Sequence, residues 1–328
     1  MKNNWVILKY LFILFCFSSL ICPLVYAETP GETIKPGDIH ENIYDGMMLS
    51  HDIYIMVGER GKIYRSTDAG ESWKVMPSGT HQPLFSVSFG DDRNGWISGN
   101  GGLILHTKDG GKTWVKQDSS TKKDLLSIHF ADARMGAAVG DWGAIVRTEN
   151  GGGTWEDVSL ADDVVLYGVK MIDGMTGYLT GEFGIVFKTE DGGKTWQSLL
   201  DERDTSLEPQ SLFCLTEDKG TLFFGGMDGK IIYSEDKGQN WVRSRNDLKQ
   251  SIYGIAVKGN NGWAVGDLGA VLFSTDRGKT WNQVELPLQF KLSWICAVDS
   301  MNSDAVSGFA AGSKGLFLKI KNNAMAWK

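Results

Sequence analysis

The sequence predicts an all-β fold, a seven-bladed β-propeller of four-stranded antiparallel blades, and three observations carry that prediction. A turn motif ending in tryptophan recurs, and Trp73, Trp114, Trp155, Trp196, Trp241 and Trp281 are spaced 41, 41, 41, 45 and 40 residues apart. A large residue opening a first strand recurs with nearly the same period, as Tyr44, Phe85, Leu126, Tyr167, Leu212, Tyr253 and Trp294. Each unit also contains a Gly-x-x-Gly reversal: Gly58/Gly61, Gly99/Gly102, Gly140/Gly143, Gly181/Gly184, Gly226/Gly229, Gly266/Gly269 and Gly312/Gly315. A fixed period of this length marks one supersecondary unit stacked on itself. Four short strands joined by tight turns make a propeller blade, whereas a repeat of about 41 residues is long for a parallel β-helix or an open solenoid.

Taken from the start, Met1 to Ala27 reads as a secretory leader. Lys2 and Lys9 precede the apolar run Tyr10 to Ile21, and Val25 and Ala27 stand at the −3 and −1 positions of a cleavage site. The alternative, a retained membrane anchor, has against it a short run that stops at Pro23. Neither Cys16 nor Cys22 follows the small residue that a lipoprotein signal needs. Cleavage removes two lysines and no acids, which moves the net charge from −7 to −9. An acidic exported chain does not suit nucleic acid. The expected location is the periplasm, or the thylakoid lumen in a photosynthetic organism. The expected mature form is a monomer with no direct membrane insertion.

The fold proper is expected over residues 43–320 as one domain, since no Pro/Ser-rich linker divides it. The apolar fraction is 42%, with 12 tryptophans to fill a core, and 41 glycines against 7 prolines suit short strands and tight turns. The seventh unit runs out after Leu316 to Ile320 with no Asp turn. Residues 28–42 are therefore expected to close the ring as a strand on the last blade, leaving 321–328 as a tail, because an unpaired outer edge invites association.

The motif itself is scaffolding chemistry. In Thr107-Lys108-Asp109-Gly110-Gly111-Lys112-Thr113-Trp114 the Asp carboxylate can fold back onto turn N–H groups, the glycines permit positive φ, and the Trp starts the next strand. Asp68, Asn150, Asp191, Asp236 and Asp276 occupy the equivalent place. A carboxylate engaged by its own turn is not free for catalysis. Cys214 and Cys296 survive leader removal, and equal spacing aligns them with Val87, Ile128, Val169 and Ile255. That predicts two buried free thiols in a valine-like core column rather than a disulfide.

Recognition must then lie in what varies from blade to blade. The turns between second and third strands carry Glu59-Arg60, Asn100-Gly101, Asp141-Trp142, Glu182-Phe183, Met227-Asp228, Asp267-Leu268 and Ser313-Lys314. Five of these seven turns are acidic, and Trp142 and Phe183 sit at the tips of neighbouring blades, where exposed aromatics anchor interfaces. The alternative is that the acids only make turns and the rings pack on adjacent loops. The longer link Asp201 to Pro209 is expected on the same face. A second candidate partner-binding group is Arg65, His106, Arg147 and Lys188, one third-strand column in blades one to four, where blades five and six have Tyr233 and Phe273. Its alternative is pairing with acids such as Glu149 or Glu190.

Catalysis finds little support. A glycosidase needs two opposed carboxylates, and Asp141, Glu182, Asp228 and Asp267 all occupy repeated turn positions. No phosphate loop, haem motif or zinc-ligand spacing is present, the five histidines are scattered, and the expectation is no cofactor and no metal.

The pattern Ser/Thr-x-Asp-x-Gly-x-Thr-Trp resembles the Asp box, or bacterial-neuraminidase (BNR) repeat, of sialidases, sortilin-type receptors and xyloglucanases. The sialidase Phe-Arg-Ile-Pro segment is absent, and xyloglucanases of this type use two propellers. Seven such units, a leader, and Gly-Asp/Glu-x-Gly before the third strand most resemble the photosystem II assembly/stability factor family, over residues 43–320. That resemblance implies a non-enzymatic propeller that holds an integral membrane protein during assembly. It also implies an arginine-rich patch, which the column Arg65, His106, Arg147 and Lys188 matches only loosely. The reading is an exported interaction scaffold for a membrane-embedded protein or complex. The alternative is a carbohydrate-binding or sialidase-like glycoside hydrolase propeller.

Overall fold

Every repeat folds as an antiparallel meander. In blade one the strands are Ile43–Met48, Tyr54–Gly58, Ile63–Ser66 and Trp73–Met76, and in blade three Leu125–Phe130, Gly136–Gly140, Ile145–Thr148 and Glu156–Asp157. The structure, a computed structural model, describes residues 33–199, 210–291, 293–300, 307–321 and 324–327. The expected leader and the link Asp201 to Pro209 lie outside them. Seven separate sheets form, each built on a four-stranded meander whose strands run in chain order from the centre outward. First strands of successive blades lie side by side around the ring, the first against the last included.

Burial follows this geometry. Second strands such as Gly136–Gly140 and Gly177–Gly181 are buried at every position because neighbouring blades cover both faces, so they read as runs of small and apolar residues. Outer strands such as Glu156–Asp157 are exposed and polar. The core lies between blades. Ile55, Val57 and Ile63 of blade one pack with Leu84, Ile97, Leu105 and Trp114 of blade two. Tyr54, Met56, Tyr64 and Trp73 pack across the closing seam with Phe309, Ala311 and Phe317 of blade seven.

The central seams share a further device. A first strand has one edge without a partner strand, and side chains of the preceding blade satisfy some of its N–H groups. Val87 N–H and Ser86 Oγ donate to Asp45 Oδ2 at 2.9 and 2.8 Å, and Phe130 N–H donates to Ser88 Oγ at 3.0 Å. Val169 and Met171 N–H donate to Ser127 Oγ and His129 Nδ1 at 3.2 and 3.3 Å. The closing seam is made alike, with Met48 N–H donating to Asp299 Oδ2 at 2.8 Å.

Ring closure differs from the sequence expectation. Thr33–Ile34 does not join the last blade; it pairs with Lys74 and Trp73 as a fifth strand outside blade one. Blade seven takes its outer strand from Ala324–Trp327, with Leu318 opposite Trp327 and Ile320 opposite Met325, so 321–328 is not merely a tail. Only Asn322 and Asn323 separate these strands in the sequence, a two-residue connection that a search for the Asp turn passes over. The N-terminal segment still seals the closing seam by packing, since Ile39 is buried among Tyr54, Trp73 and Phe317.

The register also corrects the cysteine column. Ile43, Leu84, Leu125, Leu166, Leu212, Ile252 and Ile295 are the residues paired with the first turn glycine, and a bulge follows each. The register column that holds Val87 therefore continues through Leu215 and Val298, opposite Phe224 and Ala310, not through Cys214 and Cys296. Equal spacing slid out of register where the units lengthen after blade four. Neither Cys214 nor Cys296 forms a disulfide, and both are only partly buried. Cys214 donates weakly to the Gly225 and Ile252 carbonyls at 3.7 and 3.9 Å, and burial pushes it up to about 12.

Candidate binding face

The Asp turns form one end of the ring and are occupied with their own geometry. Thr113 and Lys112 N–H donate to Asp109 Oδ1 at 2.9 and 3.0 Å, Thr113 Oγ1 donates to Oδ2 at 2.6 Å, and Thr107 Oγ1 donates to Oδ1 at 2.8 Å. Asn150 makes the same turn, taking Thr154 N–H at 2.9 Å. Hydrogen bonds from the Thr or Asn side chain and the turn N–H groups hold Asp109, Asp191 and Asp236 down to about 2, overcoming what desolvation there is. The indole N–H of Trp114 and Trp281 reaches the Gly111 and Gly278 carbonyls, while those of Trp73, Trp196 and Trp241 find no acceptor among the described residues.

The basic column sits beside these turns and is largely engaged within the ring. Arg147 is 3% exposed; its Nε donates to the Gly192 carbonyl of blade four at 2.8 Å, and its guanidinium pairs with Glu149 and with Glu156 at 2.5 Å. Arg65 Nε donates to the Gly110 carbonyl of blade two at 2.8 Å. Lys188 pairs with Glu190 at 2.5 Å. His106 stacks on Trp96 with centroids 4.7 Å apart, and burial lowers its basicity. Lys319 holds the same column in blade seven and pairs with Glu71 of blade one at 3.1 Å, a member that sequence reasoning missed. Arg65, Arg147 and Lys319 thus stitch each blade to the Asp turn of the next, and the column is not an open positive stripe.

The opposite end carries the Gly-x-x-Gly turns. Each is one turn of 3-10 helix such as Asp141–Gly143, with its middle residue in the left-handed region: φ is 57° at Trp142, 56° at Phe183 and 50° at Leu268. The closing glycine is required for its positive φ and for space, since a Cβ on Gly61 would lie 2.2 Å from the Thr80 carbonyl oxygen. The middle position has positive φ as well but open space around it, since a Cβ on Gly101 would meet nothing within 4 Å, and blades two and five fill it with Gly101 and Asp228, types that suit this conformation. Trp142, Phe183 and Leu268 do not suit it, yet they are 60%, 56% and 49% exposed. Bulky apolar residues thus stand in a disfavoured conformation and largely turned to solvent on blades three, four and six. The turn acids have partial structural roles: Glu59 accepts from Asn42 Nδ2 at 2.8 Å, Glu182 from Val165 N–H at 3.0 Å, Asp267 from Leu268 N–H at 2.8 Å.

The same end holds an aromatic collar at the centre. The bulge in each first strand sets one residue out of the strand register, and in six blades it is Tyr44, Phe85, Leu126, Tyr167, Phe213 or Tyr253. These side chains are half-buried. Neighbouring rings touch, with centroids 5.8 Å apart for Tyr44 and Phe85, 5.1 Å for Tyr167 and Phe213, and 5.4 Å for Phe213 and Tyr253. Trp294 stacks on Tyr44 at 5.9 Å. Equal spacing had placed Leu212 in this column; the structure puts Phe213 there.

Fold and turn chemistry together define a seven-bladed Asp-box β-propeller whose variable surface is the Gly-x-x-Gly end. The family model described as photosynthesis system II assembly factor YCF48 matches residues 32–124, 116–247 and 211–328, and the chain belongs to that family. A solved structure of YCF48 bound to D1 peptide is similar, at 23% identity and TM-score 0.69, over 92% of this chain and 100% of that one. YCF48 from Cyanidioschyzon merolae is 19% identical, with TM-score 0.69, over 87% and 96%. The GH74 xyloglucanase from Xanthomonas campestris shares the fold at 11% identity and TM-score 0.70, over 90% of this chain and 54% of that one. Comparison with curated protein sequences yields no match.

Proposed function

We propose that this chain is an exported, non-enzymatic scaffold that binds a membrane-embedded protein or complex during its assembly, and that the client docks on the Gly-x-x-Gly end. The observation that carries the docking site is the pair Trp142 and Phe183, exposed on adjacent blades at a left-handed turn position that does not call for a bulky apolar side chain. Membership of an assembly-factor family and the peptide held by one similar structure support a protein client. The leader-like residues 1–27 support export. The direct test is capture from a crosslinked membrane fraction. The wild-type chain should retain a membrane protein that Trp142→Ala/Phe183→Ala releases with its melting temperature unchanged. Equal capture by that double variant, or hydrolysis of xyloglucan or a sialoside in place of capture, would remove the proposal.

A further inference from the structure

The collar is not uniform. On blades four, five and six, Tyr167, Phe213 and Tyr253 form an unbroken run of touching rings, and the turns of those same blades carry Glu182, Asp228 and Asp267. The Glu182–Gly184 turn packs on the first strand of blade five, which carries Phe213, and the Met227–Gly229 turn on the first strand of blade six, which carries Tyr253. Burial raises the Tyr167 and Tyr253 phenols, with the charges of Glu182 and Asp141 adding at Tyr167 and that of Asp267 at Tyr253. The turn cations of this end, Arg60 and Lys314, stand instead on blades one and seven. Rings that served only as core would be buried like Leu166 and Gly168 beside Tyr167 or Ile252 and Gly254 beside Tyr253, whereas these three remain half-buried at the centre of the binding end.

We infer that Tyr167, Phe213 and Tyr253, backed by Glu182, Asp228 and Asp267, form a recognition site for the cationic side chain of an Arg- or Lys-bearing peptide segment of the client. The faces of aromatic rings attract a guanidinium or ammonium, and surrounding carboxylates add complementary charge that hastens encounter and selects against acidic segments. The net charge of −7 acts in the same direction. The inference rests on the proposed docking of a protein client for its biological meaning, but not for its test.

The test uses the full chain and three fluorescent blocked peptides of the form Ala-Leu-X-Leu-Ala, with X arginine, citrulline or glutamate, read by fluorescence anisotropy. The arginine peptide should bind about tenfold tighter than the citrulline peptide, with the glutamate peptide weakest. Tyr167→Leu/Tyr253→Leu should lose most of that preference, Tyr167→Phe/Tyr253→Phe should retain it, and Glu182→Gln/Asp267→Asn should weaken it and flatten its salt dependence. The Phe pair keeps the rings and so guards against a misfolded Leu pair. Equal binding of arginine and citrulline peptides, unchanged preference in the Leu pair with its fold intact, or binding only to phosphatidylcholine vesicles would overturn the inference. Client capture without arginine preference sinks this site and spares the scaffold reading; arginine preference without client capture does the reverse.

Discussion

Replacing Arg147 separates a structural basic column from a binding one. The guanidinium is buried, donates to the Gly192 carbonyl and pairs with two carboxylates that are each more than half exposed. Arg147→Ala leaves the carbonyl without its donor, a loss of about 1–3 kcal/mol. The two pairs add little to that, because Glu149 and Glu156 regain water when released. The expected destabilisation is therefore about 1–3 kcal/mol, read as a lower urea midpoint at constant slope. Arg65→Ala, which loses one carbonyl contact and no acid pair, should fall at the low end of that range. The client should still be captured by whatever fraction of Arg147→Ala remains folded. An Arg147→Ala protein with wild-type stability and no capture would refute the argument and return the column to the partner surface.

Three other outcomes follow from the geometry. Asp109, Asp191 and Asp236 are held at about 2, below the ordinary carboxylate value of 3.8, so the unfolded chain binds more protons in that window. Their stabilisation is present above pH 3.8 and is lost as pH falls toward 2, and melting temperature against pH should drop steeply there; a flat profile would contradict the turn geometry. His129 accepts from Met171 N–H and is held neutral by burial, so its contribution is present above 6.5 and lost on acidification, whereas burial pushes Asp45 up to about 6 and favours folding as pH falls from 6 to 3.8. Asp45→Asn removes the opposing term and should steepen the acid loss between pH 6 and 4, checked by urea midpoints across that range. Truncation of residues 322–328 strips the outer strand of blade seven and should destabilise the ring, while Ile39→Ala at the closing seam should cost about 2–5 kcal/mol; unchanged thermal melts for both would contradict this closure.

The blade count, the turns and the two ends of the ring were legible because glycine and aspartate at those turns answer local backbone demands. Gly61 and Gly111 need positive φ, and Asp109 is held by its own turn. Closure was not legible: the two-residue connection at Asn322 and Asn323 has no Asp-box signal, and short N-terminal strands carry no mark of which blade they join. The cysteine register failed because spacing alone cannot locate extra residues; the bulge pairing can. Trp142 and Phe183 stand out in the sequence by type and position, and the structure adds that both are exposed and left-handed. The collar went unread as a site because its aromatic residues look like any strand opener until the bulge sets them out of register at the centre.

The central claim is that this ring recognises a client through the Gly-x-x-Gly end and not through its Asp turns. Crosslinked capture from membranes by Trp142→Ala/Phe183→Ala, compared at matched folded fraction with Arg147→Ala, tests it most directly. The account predicts loss of the client in the first and retention in the second; retention in the first with loss in the second would contradict it.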